Sequence, residues 1–275
     1  MRHTLIKLMC SFSVLWAGLA QAQTEAPLLL SVNEGSSSSG LSHSQAAAKY
    51  QWLADLISHA AKTKVNLVFT REFEQLDEGM RTGRFDFVMA RPSDYPARAI
   101  RDYSYSYVSS AKPDGRCLIV VPKDSPLKTL ADIKGKRIAM PDKAAYMSHF
   151  CTAELKKQGI ALERENVNFL REQGAVVFYL ESKLADVGAI SSYSKQAAKW
   201  EQDGNRVLHK SVAQPYFPLV ASKKIRPEQI KAVQAELLAL SESEQGKEML
   251  NRIGIERFDT GSEPRLRELL KWLHG

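Results

Sequence analysis

The feature that most constrains the fold is a regular alternation of short apolar runs with longer amphipathic segments. The apolar runs at 28–32, 65–69 and 85–90 have the length and composition of buried strands. Between the first two, the segment 44–62 places apolar residues at three- and four-residue spacing, which is typical of a helix packed on a core. Strands separated by helices of this length form parallel βαβ units. The chain is therefore expected to be an α/β protein.

The alternation is interrupted once and then starts again. From Arg91 to Gly115 we predict a turn, a short helix, a run of alternating tyrosines and serines, and a second turn at 112–115. The strand at 117–121 then opens a second series of strands and helices, and residues 215–222 lead back to the first. Two connections between two units form a hinge, and open α/β sheets bind ligands at the carboxyl ends of their strands. We expect a ligand cleft between two lobes.

The first residues have the organisation of an export signal. A basic start with Arg2 and Lys7 precedes an apolar run, and the small residues Ala20 and Ala22 supply a cleavage site. We predict a signal peptide at 1–22, cleavage near Gln23, and a periplasmic mature chain with no membrane-spanning stretch. The predicted division of the mature chain is lobe 1 at 23–110, lobe 2 at 111–208, and the rest of lobe 1 at 209–275.

Composition narrows the function classes. Removing Arg2 and Lys7 with the leader lowers the net charge from +7 to +5, which suits an anionic ligand, although a solvated basic surface is the plainer interpretation. We find no basic run interleaved with aromatics and no enzyme motif, so we expect no nucleic-acid partner, no catalytic residues and no cofactor. Met147 and Cys151 share one helical face, which indicates packing rather than a metal site. We expect a monomer.

The start of the second series carries a family resemblance. Residues 124–139, DSPLKTLADIKGKRIA, resemble the start of the second lobe in type II periplasmic binding proteins. The most similar branch is the phosphate/phosphite/phosphonate-binding components of ABC transporters, and the resemblance covers nearly all the mature chain. It implies a two-lobe type II fold, with each lobe a mostly parallel sheet flanked by helices and two hinge crossings. It also implies capture of a small polar or anionic solute for an inner-membrane ABC permease or a sensor.

The resemblance also implies a ligand site at the helix start after this run. In phosphonate binders that helix start is rich in Ser and Thr, whereas this chain has Ala144 and Ala145, next to Asp142. Backbone N–H groups at a helix N-terminus still suit an anion. We predict ligand contacts there, with Tyr146 closing over the ligand or, alternatively, packing at the lobe edge. The residues of this site are Ala145, Tyr146, Met147 and Ser148.

Other candidates surround the expected cleft. Arg91 offers a forked cation for an oxyanion, or a surface ion pair with Asp94. Ser191, Ser192 and Tyr193 are predicted to open a helix after a strand, where they contact ligand or cap the helix. Tyr95 matches an aromatic residue of the family's first lobe, and Gln173 a position often held by His. The remaining candidates are Ser93, Asn33 and Glu34, with the aromatic pair Tyr216 and Phe217 as cleft wall or hinge contact.

Two cysteines, Cys117 and Cys151, remain after removal of the leader. In an oxidising compartment an even pair forms a disulfide, while the alternative is two buried free thiols. We predict a disulfide between Cys117 and Cys151. Two other functions remain open alternatives to solute binding. One is a periplasmic enzyme on the same fold, and the other is an adaptor that binds a protein, a haem or a metal.

Overall fold

The computed structural model describes residues 26–35 and 42–274, with the side chain of His43 left out. The predicted signal peptide at 1–22 and the serine-rich loop at 36–39 lie outside the described residues. Eleven strands are present in the described part of the chain: β1 (Leu28–Asn33), β2 (Val65–Phe69), β3 (Phe87–Ala90), β4 (Ser106–Gly115), β5 (Cys117–Val121), β6 (Arg137–Pro141), β7 (Asn166–Leu170), β8 (Val187–Ser191), β9 (Arg206–Lys210), β10 (Gln214–Ala221) and β11 (Arg257–Asp259).

Nine α-helices connect the strands within the described residues. They are α1 (His43–Ala61), α2 (Phe73–Arg81), α3 (Asp94–Asp102), α4 (Tyr146–Lys157), α5 (Gln173–Glu181), α6 (Lys195–Gln202), α7 (Pro227–Ala239), α8 (Glu244–Arg252) and α9 (Glu263–His274). Local sequence sets several of their ends. The Ser42 hydroxyl caps α1 by accepting from the Gln45 N–H, and Ser194 caps α6 by accepting from the Ala197 N–H. No described helix has both the length and the apolar character needed to cross a membrane.

The strands form two sheets, and each sheet with its helices is one lobe. The first sheet has the order β11-β4-β10-β3-β1-β2, and the second has the order β7-β6-β8-β5-β9. The chain passes from the first sheet to the second between β4 and β5, and it returns between β9 and β10. The α/β class with two lobes and two crossings is thus confirmed. The exact lobe limits at 110/111 and 208/209 stay a prediction.

Both sheets are mixed rather than mostly parallel. β1 pairs in parallel with β2 and β3, and β6 with β7 and β8, as the βαβ pattern requires. The strands next to the crossings pair in the antiparallel direction. In the first sheet, β10 runs antiparallel to β3 and β4. In the second sheet, β5 runs antiparallel to β8 and β9.

The predicted turn at 112–115 is wrong, because these residues continue strand β4. Gly115 pairs with Gln214 of β10, and Lys112 pairs with Arg257 of β11. Both partners come from the far end of the chain. The turn-like composition Lys-Pro-Asp-Gly is therefore overridden by pairing that no local pattern shows.

Buried apolar side chains tie the two lobes together. One cluster includes residues of both lobes, among them Ile100 and Leu269 of the first and Met147 and Phe150 of the second. The C-terminal helix α9 extends this contact, since the Trp272 ring meets the Phe150 ring edge-on with centroids 5.1 Å apart. The structure therefore shows the lobes in close contact.

Cys117 of β5 and Cys151 of α4 are both fully buried and are joined as a disulfide, with their Cα atoms 5.4 Å apart. The bond fastens α4 to β5, which pairs with β8 and β9 in the second sheet. Because α4 begins at the predicted ligand site, the disulfide also fixes the position of that helix start.

Candidate functional site

A buried ion pair stands at the carboxyl ends of two neighbouring strands. Glu34 follows β1 and Arg91 follows β3, and they are only 3% and 7% exposed. An Arg91 Nη2 atom lies 3.5 Å from Glu34 Oε1 and donates to the Ile253 carbonyl at 2.8 Å. Lys49 and Tyr50 of α1 also donate to the Glu34 carboxylate. The alternative of a surface ion pair between Arg91 and Asp94 is therefore wrong.

Aromatic rings surround the Arg91 guanidinium. Its central carbon lies 4.7 Å from the ring centre of Phe217, 5.3 Å from that of Tyr216 and 5.8 Å from that of Tyr193. Tyr193 of the second lobe stacks on Tyr216 of the first at 4.2 Å. The Arg91 Nε atom is buried and has no hydrogen-bond partner among the described residues. Buried donors without a partner are unusual, and a bound water or a ligand acceptor is one way to satisfy them.

The environment of Glu34 keeps it charged. Burial alone raises the pKa of Glu34, but the positive charge of Arg91 and the hydrogen bonds from Lys49 and Tyr50 outweigh it. The net result is a pKa below its ordinary value of 4.5. A lowered pKa in the folded state means that the unfolded state binds more protons. Glu34 therefore stabilises the fold above the unfolded pKa, and this contribution is lost as the pH falls through the lowered pKa.

This linkage gives a prediction on acid stability. The free energy of unfolding should fall more steeply below about pH 4.5 in the unmodified protein than in Glu34→Gln, which cannot titrate there. Urea denaturation at a series of pH values measures both slopes. Glu78→Gln, which alters an exposed carboxylate paired with Arg81, is the matched control and should keep the steep slope. Equal slopes for the unmodified protein and Glu34→Gln would contradict the prediction.

The predicted site at the start of α4 is closed. Ala145 is the N-cap residue and offers no side-chain hydrogen bond, and the Asp142 carboxylate accepts from the Ala144 N–H at 2.8 Å. The Ser148 hydroxyl donates to the Pro141 carbonyl at 2.7 Å, so it is committed within the lobe. We call the remaining space the α4 pocket. Its volume is only about 10 Å³, and its lining includes Gly35, Phe73, Pro92, Tyr146 and Met147.

Tyr146 fills the place that a small ligand would need. It is 7% exposed, and its hydroxyl is buried without a hydrogen-bond partner among the described residues. Burial raises the pKa of Tyr146 well above its ordinary value, and the nearby Tyr193 and Asp94 add to this shift. Burial likewise raises the pKa of the Asp94 carboxyl, although Arg98 opposes the shift. A buried acidic group near Tyr146 makes this end of the cleft a poor place for a small anion.

On the second lobe, Gln173 and Ser191 form a polar contact at the first residue of α5. Gln173 Oε1 accepts from both the N–H and the hydroxyl of Ser191 at 2.9 Å. Ser191 is the last residue of β8, and α6 begins only at Lys195, so the prediction that Ser191 opens a helix is wrong. The Ser192 hydroxyl accepts from the Arg116 N–H at 3.0 Å, beside the first crossing. The cap of α6 is Ser194, because the turn after β8 is longer than the sequence suggested.

The other candidates make contacts within the first lobe. Tyr95 stacks on Phe73 with centroids 5.4 Å apart and lies beneath the Arg98 guanidinium. The Ser93 hydroxyl donates to the Pro215 carbonyl at 2.8 Å. Asn33 ties the end of β1 to the next strand by donating to the Thr70 carbonyl at 2.8 Å. These three residues therefore stabilise the first lobe beside the cleft.

A larger opening lies beside the α4 pocket, and we call it the interlobe cavity. Its volume is about 590 Å³, within the range of small-molecule sites. The first lobe contributes Glu34, Lys49, Arg91 and residues 251–254 at the end of α8, and the second lobe contributes residues 172–174 and 193–196. The structure thus brings together four of the predicted residues at one cavity, namely Glu34, Arg91, Gln173 and Tyr193.

Sequence reasoning missed Lys49, Lys195 and Arg252, which also line this cavity. All three lie on helices whose polar residues resemble an ordinary solvated face, so no local signal marks them. In the described part of the chain, no group of three or more His, Cys, Asp or Glu side chains is arranged to hold a metal ion.

One comparison with known proteins gives a family, and another gives similar folds. A family model for the periplasmic substrate-binding protein of a phosphonate ABC transporter matches residues 38–264. A Xanthomonas citri protein bound to ATP is similar in structure, with a TM-score of 0.71, 17% identity, and coverage of 90% of this chain and 98% of that one. PhnD1 of Prochlorococcus marinus, in complex with methylphosphonate, gives a TM-score of 0.69, 13% identity, and coverage of 90% and 97%.

A third similar structure is a sulphonate binding protein. The periplasmic aliphatic sulphonate binding protein SsuA of Escherichia coli gives a TM-score of 0.60 and 19% identity, with coverage of 90% of this chain and 78% of that one. At such low identities these three structures show only that the two-lobe fold is shared. The evidence on the family is the match to the family model, which covers most of the chain.

Proposed function

Because the chain belongs to the phosphonate ABC transporter family of periplasmic substrate-binding proteins, we propose that it captures a small anionic solute between its lobes. The solute is then delivered to an inner-membrane ABC permease, as members of this family do, or to a sensor. The observation that carries the proposal is the interlobe cavity, which both lobes line and whose lining includes the buried cation Arg91.

The charge of the cavity supports an anionic ligand. Four basic and two acidic side chains are found among the described residues that line it. The ligands named for the three structures described above support this charge, since ATP, methylphosphonate and aliphatic sulphonates all carry negative charge. Specificity would come from hydrogen bonds and aromatic walls, with hinge motion enclosing the solute.

The remaining features of the proposal follow from the family. Its members are transporter substrate-binding proteins rather than enzymes, and we propose that this chain also binds its solute without covalent chemistry. We further propose that residues 1–22 direct export to the periplasm and are then removed, and that the mature protein acts as a monomer without nucleic acid.

Titration calorimetry tests the proposal. Inorganic phosphate, methylphosphonate, an aliphatic sulphonate and ATP form the ligand panel, with arginine as a cationic comparison. We expect at least one anion to bind with a Kd in the micromolar range or tighter, and small-angle X-ray scattering should report a change in lobe separation. If no anion binds and no compound changes the scattering, the proposed function is wrong.

A further inference from the structure

The structure offers two places for an anion, and they differ greatly in size. The α4 pocket has about 10 Å³, room for roughly one water molecule, and the Tyr146 ring forms part of its lining. The interlobe cavity beside it has about 590 Å³. Opening the smaller pocket would require Tyr146 to leave a fully packed position against Phe150. The larger cavity is open without any such movement.

Two helices of the second lobe begin at the interlobe cavity. Gln173 and Gly174 start α5, and Lys195 and Gln196 start α6, and all four residues line the cavity. The N-cap residue of α5, Glu172, makes no side-chain cap to its first turn. The N-termini of two helices, with the positive ends of their dipoles, therefore lie at the same space, and in α6 the Ala197 N–H already donates to the Ser194 hydroxyl.

Charged side chains add to this field. Lys195 and Arg252 form no ion pair with any residue in the described ranges, whereas Lys49 and Arg91 share the Glu34 carboxylate. With Glu172 as the second carboxylate, the formal charge of the described lining is +2. The end of α8 would oppose an anion through its carbonyl groups, but Arg91 already donates to the Ile253 carbonyl.

A buried donor provides independent evidence for a bound acceptor. Only 7% of the Arg91 surface is exposed. Arg91 is also one of the residues that line the interlobe cavity. Its Nε atom has no hydrogen-bond partner among the described residues. Leaving such a group unpaired in the folded protein is costly, and an acceptor that reached this side of Arg91 on ligand binding would remove that cost.

Resting on the proposed function, we propose that the solute is an organic anion carrying at least two negative charges, held in the interlobe cavity by Lys195, Arg252 and the starts of α5 and α6. A small tetrahedral oxyanion would leave most of this cavity empty and would reach few of its cations. The ligand class is therefore a phosphate ester or a polycarboxylate with a substantial organic part.

Calorimetry at low ionic strength separates these ligand classes. Glucose 6-phosphate and citrate are the large anionic probes, methylphosphonate and inorganic phosphate are the small ones, and glucose is the neutral probe of matched size. We expect a large anion to bind at least about tenfold more tightly than either small one, and glucose not to bind. Glucose 6-phosphate binding alone identifies the phosphate esters, and citrate binding alone the polycarboxylates.

Charge-removing variants test the residues. Lys195→Gln and Arg252→Gln should each weaken binding of the large anion about tenfold, as expected for losing a hydrogen bond to a charged group. Lys199→Gln, on the same helix as Lys195 but paired with Asp203 on the surface, is the matched control and should bind as the unmodified protein does. Far-UV circular dichroism of each variant checks folding.

The outcomes separate this proposal from the proposed function. Tight binding of methylphosphonate or phosphate with weaker binding of both large anions would overturn the ligand class and leave the receptor function standing. Equal binding by Lys195→Gln, Arg252→Gln and Lys199→Gln would overturn the assignment of the residues. Failure of every anion to bind would overturn both proposals.

Discussion

Replacing Arg91 with methionine is expected to lower the free energy of unfolding by about 3–5 kcal/mol, the typical cost of removing one partner from a buried ion pair. The substitution leaves Glu34, which is 3% exposed, with Lys49 as its remaining cation. It also removes the donor that the Ile253 carbonyl uses at 2.8 Å and the cation that lies over the Phe217 ring. Urea denaturation at neutral pH, followed by circular dichroism, measures the effect.

A matched control separates burial from charge. Arg81→Met also removes an arginine from a pair with glutamate, but the Arg81 side chain is 58% exposed and its partner Glu78 is 56% exposed. We expect a much smaller change there, because water and salt screen exposed pairs. If Arg91→Met destabilised the protein no more than Arg81→Met, the stabilising role assigned to the buried pair would be wrong.

Removing the disulfide should have the second largest effect. The double variant Cys117→Ala/Cys151→Ala is expected to lose about 3–4 kcal/mol of stability, since the bond closes a loop across a sequence separation of 34. The loss arises mainly from greater freedom of the unfolded chain. It should therefore appear as a lower denaturation midpoint with little change in the native circular dichroism spectrum.

Reductant supplies the control for this prediction. Adding reductant should lower the midpoint of the unmodified protein towards that of the double variant, and it should leave the double variant unchanged. Mass spectrometry of the non-reduced protein should find one peptide pair linked through Cys117 and Cys151. Two alkylatable thiols in the freshly purified exported protein would refute the bond.

The strands could be predicted where their signal is local. The apolar runs at 65–69 and 117–121 become β2 and β5 with the same limits. β5 is buried at every position, and a strand covered on both faces is apolar throughout, so its own residues reveal it. β2 lies at the edge of its sheet and is only partly buried, but four of its five residues are still apolar. The segment 112–115 could not be predicted in this way. Its membership in β4 depends on pairing with β10 and β11, which lie about a hundred residues or more further along the chain.

In the candidate site, too, only the features with a local signal could be predicted. Arg91 and Glu34 could be placed at the cleft, because each directly follows a strand of the same sheet. Their pairing with each other could not be foreseen, and Asp94 is the nearer acidic residue in sequence. The choice between the two roles of Tyr146, closing over a ligand or packing at the lobe edge, could not be made from the sequence either, since it depends on the closeness of two lobes that are separate along the chain. Residue type and position predict where a site lies, whereas tertiary contacts decide which side chains are free to use it.

The contact between Trp272 and Phe150 gives the protein its own optical indicator of lobe motion. Trp272 belongs to the C-terminal helix of the first lobe and Phe150 to the second lobe, so a separation of the lobes at this edge must break the contact. The other described tryptophans, Trp52 and Trp200, each lie within a single lobe. Tryptophan emission would therefore report any such separation of the lobes without an attached dye.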